Sequence, residues 1–224
     1  MPAFVVVPAT PDDLGAIARV QFEAFGGDAG FQTIFPHGAT PAALQYAVAG
    51  MENDMENDAT AHVMLVKDGM TGEIASYAQW HFFPPRRQEQ IDREMLLDTF
   101  PWPEDANAEA GNKLVRNATR KRHQVVAQWL GWGSPYAYLS VVGTAPRARG
   151  QGAASLLLKW GTERADDYNL PAYLEATKSG HSVYRKYGFD QVDHLPIEIS
   201  QWGGQDFVNS CMIRPARATT DDPN

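Results

Sequence analysis

The segment YAYLSVVGTAPRARGQGAASLLLKWG, residues 136–161, constrains the fold more than any other part of this chain. Its first half is a β-branched and aromatic run typical of a strand, and its second half repeats apolar residues at helical spacing. A polar hinge with Arg147, Arg149, Gly150 and Gly152 separates the two halves. The segment therefore predicts a strand, a tight turn and a helix whose N-terminus opens at that turn.

The hinge has the composition of an anion-binding turn. The first N–H groups of a helix lack intrahelical partners and carry partial positive charge, which stabilises an anion. Gly150 and Gly152 have no β-carbon, so a phosphate can approach the backbone closely. Arg147 and Arg149 add positive charge at the rim. A phosphate site is the favoured interpretation, and a purely structural turn is the alternative.

Two other phosphate-binding motifs fit the hinge less well. A Walker loop requires Gly-Lys-Ser/Thr, which the sequence lacks. A dinucleotide fingerprint needs a third glycine at the position of Ser155, and it belongs to a parallel βαβ unit, not after an antiparallel hairpin. An NAD-type nucleotide binder is therefore a weaker alternative.

The remaining periodicity predicts a mixed α/β fold with a mostly antiparallel sheet. One right-handed crossover joins two parallel strands, at 136–144 and 171–176. Helices are expected after Thr10, over 112–130, after the hinge, and before Gly188, which is placed to end the last helix. Strands are predicted at 4–7, 61–68, 73–83, 136–144, 171–176, 192–199 and 206–215.

Three polar stretches receive simpler interpretations. Residues 84–111 are irregular and predict a long loop, typical of a lid or binding loop, so that 84–130 forms an insert. The basic run within 113–122 is expected to be the solvated side of a helix, with an island for a small anionic ligand as the alternative. The repeated MENDMENDA, residues 51–59, predicts a solvated helix end or loop without a function.

The hinge also carries a family resemblance. Arg147-x-x-Gly150-x-Gly152 resembles the Arg/Gln-x-x-Gly-x-Gly/Ala signature of GNAT-superfamily N-acetyltransferases, and residues 173–192, YLEATKSGHSVYRKYGFDQV, resemble the strand and helix that follow it. The resemblance implies an α/β (α+β) GNAT-like fold, with a mixed, mostly antiparallel sheet flanked by helices. It implies a single acetyltransferase domain over 1–214, and a disordered tail is expected at 215–224. Acetyl-CoA is the implied co-substrate, and direct acetyl transfer to an amine is the implied reaction.

The resemblance assigns the hinge to the pyrophosphate and the preceding strand to the pantetheine arm and thioester. A backbone N–H near Val142 would stabilise the oxyanion, and Gly143 is expected to weaken regular pairing as bulge positions do; an ordinary buried strand is the alternative. The residues implied to hold acetyl-CoA are Val141, Val142, Gly143, Thr144, Arg147, Ala148, Arg149, Gly150, Gln151, Gly152, Ala153, Ala154 and Tyr184.

The implied reaction needs two proton transfers, and each requires a residue that can donate or accept the proton. Tyr184 matches the tyrosine of the family's last helix, and a phenol with a pKa near 10 can protonate a departing thiolate; a packing role is the alternative. The attacking amine must first lose a proton, for which Glu175 and His81 are candidates and a water relay is equally open. Cys211 has no basic partner nearby in sequence, so a thiol nucleophile is not expected.

Composition limits the class of protein and its partners. A chain of 224 residues with 44% hydrophobic content is typical of a globular protein, and a net charge of −8 argues against nucleic-acid binding. One cysteine, no signal-like start and no apolar run of roughly 20 residues predict a soluble, cytoplasmic protein without a membrane span. No metal site is expected, and a monomer or homodimer is expected.

The acceptor, the amine that receives the acetyl group, is expected to belong to a small molecule. Two alternatives remain open: a protein or peptide N-acetyltransferase, and a non-catalytic module that binds acyl-CoA. An aromatic group either lines the acceptor pocket or belongs to the core. Its members are Trp129, Trp132, Tyr136 and Tyr138.

Overall fold

A computed structural model describes residues 4–96 and 99–217 of the chain. The described residues contain one seven-stranded sheet with the strand order β1-β2-β3-β4-β5-β7-β6. Every neighbouring pair is antiparallel except β4 and β5, which run parallel. The strands are β1 (Phe4–Pro8), β2 (Ala61–Asp68), β3 (Ile74–Phe83), β4 (Tyr136–Thr144), β5 (Ala172–Ala176), β6 (Asp190–Ile197) and β7 (Phe207–Arg214).

Helices cover both faces of this sheet. The helices are α1 (Leu14–Phe25), α2 (Ala29–Ile34), α3 (Pro41–Asn57), α4 (Gln88–Met95), α5 (Ala108–Leu130), α6 (Ala153–Asp167) and α7 (His181–Arg185). Helix α6 packs on one face against β2, β3 and β4, while α1 and α3 contact the central strands on the other and α5 packs against β6. None of the helices in the described ranges combines the length and apolar character needed to cross a bilayer.

The predicted fold class is confirmed. All seven predicted strands are present within one or two residues of their expected bounds, and β4 and β5 form the single parallel pair. Gly188 has φ +84°, the left-handed conformation expected of a residue that ends a helix. A mostly antiparallel sheet is also unlike the parallel sheet of a dinucleotide-binding domain. Residues 218–224 of the expected tail lie outside the described residues.

The prediction of a loop over residues 84–111 is wrong. The segment contains helix α4, and α5 begins at Ala108, where the side chain of Asn107 accepts a hydrogen bond from the N–H of Ala110. Ile91 is the buried residue of α4, so its short sequence carries almost no apolar periodicity. The helix is held instead by Glu94, whose ion pairs are described below.

The centre of the sheet opens into a cleft. The pairing of β4 with β5 covers only three residue pairs and ends at Leu139 and Leu174. A register shift between β3 and β4 leaves Ser140 as an extra residue, a β-bulge that bends β4 at that point. Beyond it the two parallel strands are no longer paired.

The expectation of a bulge at Gly143 is therefore wrong. Gly143 pairs regularly with Tyr77 of β3. A β-carbon added to Gly143 would lie 2.5 Å from Cε1 of Tyr77, so this position is a glycine because the tyrosine ring packs directly on the strand.

Candidate active site

Two adjoining cavities occupy the opening between β4 and β5. The Glu175 cavity, of about 350 Å³, is lined by Leu139, Ser140, Leu174 and Glu175 together with side chains from α2 and β7. The Arg149 cavity, of about 530 Å³, is lined by Gly143, Thr144, Arg149 and the start of the segment that leads to α7. The residues that line both are Phe25, Asp28, Val142, Thr177 and Tyr184. The cavities therefore form one cleft that extends from the bulge to the β4–α6 turn.

The β4–α6 turn presents unpaired backbone donors. Gly150 and Gly152 have φ +73° and +87°, and a β-carbon on either would meet no atom within 4 Å. Within the described chain, the N–H groups of Gly150, Gly152, Ala153 and Ala154 donate no hydrogen bond. Four free donors beside open space are what a phosphate group requires at a helix N-terminus.

The side chains of this turn divide into two groups. Ala148 and Ala153 are buried in the core, so only their backbone atoms can face a ligand. Gln151 is exposed, and its amide Nε2 donates to the carbonyl of Arg147 at 2.7 Å. The two arginines hold the edge of the turn: Arg149 Nη2 donates to the carbonyl of Ala24 at 2.8 Å.

The predicted signature arginine is engaged by the protein itself. Arg147 Nη2 donates to the carbonyl of Ile74 at 2.9 Å, and its Nε lies 3.2 Å from Glu73 Oε2. Glu23 lies 3.7 Å from Arg147 Nη1. Arg149 lines the Arg149 cavity, so it is the arginine that directly faces the cleft, while Arg147 ties the turn to β3.

The register of β4 directs one backbone donor into the cleft. The N–H of Ala145 donates to the carbonyl of Ala75, so Gly143 and Val141 occupy the following hydrogen-bonded positions opposite β3. Because antiparallel strands alternate, Val142 is a non-hydrogen-bonded position and its N–H points toward β5. Strand β5 has already separated at that level, which leaves this N–H directed into the cleft.

Tyr184 on α7 lines both cavities. Burial raises the pKa of its phenol to about 12, so the hydroxyl is protonated at neutral pH. The hydroxyl makes no hydrogen bond to any of the described residues. The phenol is therefore a free proton donor at the junction of the two cavities.

Glu175 lies at the end of β5 and lines the Glu175 cavity. The hydroxyl of Tyr138 donates to its Oε2 at 3.1 Å, while Oε1 is buried without a hydrogen-bond partner. Burial raises the pKa of Glu175, and nearby Arg122 together with the hydroxyls of Tyr173 and Tyr138 oppose that rise. The carboxylate is thus fixed by one oxygen, with the other left unpaired.

His81 lies on β3 and lines neither cavity of the cleft. Its Nδ1 lies 3.2 Å from Asp58 Oδ2, its Nε2 lies 3.2 Å from the amide of Gln79, and its ring stacks near Tyr138 with the centroids 6.1 Å apart. Burial lowers the pKa of His81, and Asp58 opposes that shift. Glu175 and Tyr184 therefore line one cleft. His81 does not line it, and its ring packs near that of Tyr138.

The repeated MENDMENDA segment belongs mainly to the end of α3, as predicted, but two of its carboxylates contact the sheet. Asp58 pairs with His81, and Asp54 Oδ2 accepts a hydrogen bond from Gln79 Nε2 at 2.7 Å. The expectation that the segment merely faces solvent missed these contacts, because the partners lie more than 20 residues away.

Sequence analysis also missed a partly buried charge network around Glu94. Glu94 of α4 accepts hydrogen bonds from Arg86 Nη1, Arg122 Nη2 and His123 Nε2 at 2.5, 2.7 and 2.9 Å. Burial alone would raise the pKa of Glu94, but the hydrogen bond from His123 and the two arginines hold it at about 2. The guanidinium of Arg122 also lies 4.5 Å from the ring centroid of Tyr138.

The expectation that the basic run of α5 is only a solvated face is therefore wrong. Arg122 is largely buried, Lys121 pairs with Asp193 at 2.9 Å, and Lys113 pairs with Glu198 at 3.1 Å. Nothing in the spacing of these cations distinguishes the buried Arg122 from its neighbours. The partner of Arg122 lies on a helix that the sequence did not predict.

The predicted aromatic group does not form one pocket. Trp129 and Trp132 are about half exposed and line neither cavity of the cleft. Tyr136 is buried in the core, where its ring contacts that of Phe83. Tyr138 does not line the cleft itself, but it donates a hydrogen bond to Glu175, which does.

Comparison with known proteins agrees with this fold. The family described as the acetyltransferase (GNAT) family matches residues 31–189, well over half of the chain. The chain belongs to the GNAT acetyltransferase family, whose members generally use acetyl-CoA. No curated protein matches the chain.

Solved structures of low sequence identity share the fold. A histone acetyltransferase HPA2 and related acetyltransferase from Corynebacterium glutamicum has a TM-score of 0.60 at 23% identity, covering 98% of this chain and 99% of that one. Arylalkylamine N-acetyltransferase 2 from Aedes aegypti has a TM-score of 0.66 at 11% identity, covering 96% and 100%. A polyamine N-acetyltransferase from Drosophila melanogaster that forms N-acetylagmatine has 0.66 at 9%, covering 94% and 98%. At these identities the likeness establishes the fold alone.

Proposed function

We propose that this protein transfers the acetyl group of acetyl-CoA directly to the primary amine of a small molecule. One observation carries the proposal: a free phenol and a half-paired carboxylate, Tyr184 and Glu175, line the same cleft between β4 and β5. The cleft leads to a turn with unpaired N–H groups. The solved structures that share this fold include enzymes named for acetylation of arylalkylamines and polyamines.

The turn would hold the diphosphate of coenzyme A. The N–H groups of Gly150, Gly152, Ala153 and Ala154 supply hydrogen-bond donors, and Arg149 adds charge. The absence of β-carbons at the two glycines leaves space for the phosphate oxygens. When bound, acetyl-CoA supplies a thioester carbonyl to the cleft.

Three groups of this chain then act on the reacting atoms. Glu175 takes the proton that the ammonium of the acceptor must lose before its nitrogen can attack the carbonyl carbon. The N–H of Val142 donates to the carbonyl oxygen as that oxygen gains negative charge while the C–N bond forms. Tyr184 donates its proton to the sulfur as the C–S bond breaks, so that coenzyme A leaves as a thiol. The nitrogen then loses its second proton to the phenolate of Tyr184, which restores the phenol and leaves a neutral amide.

The size and position of the Glu175 cavity support a small acceptor. Leu114, Ile197 and Phe207 line one part of it, and its volume of about 350 Å³ suits one small organic molecule. A protein or peptide acceptor would need an open groove at this end of the cleft. Non-catalytic binding of acyl-CoA is the competing function, and Tyr184 and Glu175 would then have no chemical task.

Thiol release tests the proposal. Purified protein is incubated with acetyl-CoA and panels of monoamines, polyamines, aminoglycosides and peptides, and free coenzyme A is measured with a thiol reagent. We expect release with at least one small amine and an acetylated product of matching mass. Acetyl-CoA binding by calorimetry without release from any panel would support the non-catalytic alternative, and release with peptides alone would support a peptide acceptor. No binding of coenzyme A to folded protein would refute the proposal.

A further inference from the structure

Two buried acceptor atoms of the Glu175 cavity have no hydrogen-bond donor. They are Oε1 of Glu175 and Oδ1 of Asn209, and both residues line this cavity. Glu175 pairs with Cys211 across β5 and β7, so Asn209, two residues before Cys211, lies on the same face as a diagonal neighbour. Two unpaired acceptors therefore belong to diagonally neighbouring residues that line one cavity.

Buried polar atoms without partners are rare in folded proteins and call for an explanation. Oε2 of Glu175 already accepts from Tyr138, whereas neither Oε1 nor Asn209 Oδ1 accepts a hydrogen bond from the described residues. A ligand that satisfies both must bring at least two hydrogen-bond donors, and it is favoured if it carries the charge opposite to a carboxylate. A primary ammonium meets both requirements.

Most of the remaining wall is apolar, and its other uncharged polar side chains are Gln21, Ser140, Thr177 and Tyr184. Asp28, the other carboxylate that lines the cavity, accepts through Oδ1 a hydrogen bond of 2.9 Å from the N–H of Phe31 and so caps α2. A second positive charge placed against the apolar wall would lose its hydration without gaining a partner. The apolar side chains of this wall are Phe25, Phe31, Ile34, Leu114, Ile197 and Phe207.

From these contacts we infer that the acceptor is a primary amine on an apolar or aromatic body, with its ammonium held between Glu175 Oε1 and Asn209 Oδ1. This inference rests on the proposed function and names the substrate class of the same site. Asn209 determines specificity, since it accepts one N–H of the amine while Glu175 accepts another and then takes that proton. After this proton transfer the amine nitrogen still donates one N–H to Oδ1 of Asn209. Its lone pair is then free to attack the carbonyl carbon of the thioester.

Kinetics on wild type and Asn209→Leu test the inference. The substitution keeps the number and branching of the side-chain heavy atoms and removes the acceptor oxygen. With 2-phenylethylamine we expect KM to rise about tenfold in the variant, because a hydrogen bond to a charged group is lost, while KM for acetyl-CoA stays within twofold. Asn209→Asp, which keeps the acceptor, should hold KM for the amine within threefold of wild type. Ser210→Ala, on the opposite face of β7, is the matched control and should change neither value.

Substrate choice and direct binding test it on the unmodified protein. Wild type should favour 2-phenylethylamine over 1,4-diaminobutane at least tenfold in kcat/KM. Calorimetry in the presence of coenzyme A should give at least tenfold weaker binding for the N,N,N-trimethyl analogue, which keeps the charge and has no N–H donor. This comparison stands even if Asn209→Leu fails to fold.

The outcomes separate this inference from the proposed function. Equal or better use of the diamine, an unchanged KM in folded Asn209→Leu, or equal binding of the trimethyl analogue overturns the inference while amine acetylation stands. Tight binding of 2-phenylethylamine that depends on Asn209, without acetylation of any amine, supports the ammonium site and overturns the proposed function instead.

Discussion

The hydroxyl of Tyr138 on β4 donates a 3.1 Å hydrogen bond to Oε2 of Glu175 on β5, just where the two parallel strands separate. Arg122 of α5 lies over the ring of the same tyrosine, 4.5 Å from its centroid. Side chains from one strand and one helix thus surround one oxygen of the carboxylate, and the other oxygen is buried without a partner among the described residues. This arrangement gives Glu175 one orientation and a defined proton affinity.

Tyr138→Phe should move the acidic limb of the pH–rate profile to higher pH. Burial raises the pKa of Glu175, while Arg122 and the hydrogen bond from Tyr138 stabilise the charged form and oppose that rise. Loss of the hydroxyl removes part of this stabilisation, so the pKa rises further and the unprotonated base is lost at a higher pH. The measurement is kcat/KM for the amine between pH 5 and 9.

The control for this shift is Tyr168→Phe, which changes a half-exposed tyrosine just after α6 and should leave the profile unchanged. An acidic limb that stays in place or moves to lower pH in Tyr138→Phe would contradict a role for Glu175 as the base.

Tyr184→Phe should lower kcat by about 100-fold, the lower range for loss of a general acid, and leave the KM for acetyl-CoA within a few-fold of wild type. The phenol, whose pKa burial raises to about 12, is protonated across the neutral range and has no other hydrogen-bond partner among the described residues. Steady-state kinetics and a thermal melt of both proteins provide the measurement. An unchanged kcat in a folded variant would mean that Tyr184 packs against the sheet and does not act as the general acid.

Gly152→Ala should weaken coenzyme A binding about tenfold or more, because the new methyl group enters the space that a phosphate would occupy. Gly203→Ala is a matched control: φ is +84° there and +87° at Gly152, and an added β-carbon meets no atom within 4 Å at either site. Both variants therefore carry the same backbone strain, of about 1 kcal/mol. Calorimetry with coenzyme A distinguishes them, and equal losses of affinity would argue against a phosphate site at the β4–α6 turn.

Glu94→Gln should destabilise the fold by about 1–3 kcal/mol at pH 7, since it leaves Arg86 and Arg122 without their shared carboxylate and the pair is only partly buried. The native pKa of Glu94 is held at about 2, below the ordinary value of 4.5. Its contribution is thus fully present above pH 4.5 and is lost as the pH falls toward 2. Urea unfolding between pH 7 and 3 measures it.

The matched control for Glu94→Gln is Glu89→Gln, an exposed glutamate in the first turn of the same helix, which should change stability by less than about 0.5 kcal/mol. Equal effects of the two substitutions, or a Glu94→Gln effect that does not shrink in acid, would mean that the network contributes no stability through the charge of Glu94.

Local features of the sequence predicted the parts of this protein that depend on near neighbours along the chain. The strand, turn and helix around Gly150 and Gly152, the left-handed Gly188 and the alternation of the seven strands follow from the conformational range of glycine and from hydrophobic periodicity. These features sufficed for the fold class, whereas the family and the choice of Tyr184 rested on the resemblance of the hinge and of residues 173–192 to GNAT acetyltransferases.

Tertiary structure decided what depends on distant partners. The end of β4–β5 pairing at Leu139 and the bulge at Ser140 depend on how three strands fit together, and no short segment contains that information. Helix α4 exists because Glu94 meets cations up to 29 residues away along the chain. In the sequence, Asn209 is a polar residue of the last strand, and nothing there indicates a role. The pairing of β5 with β7 brings Glu175 to the same face of the sheet as Asn209. The reactivity of a side chain depends on how far it is removed from water and on which groups surround it. Both depend on the packing of segments that are distant in the sequence, so they are decided only in the folded chain.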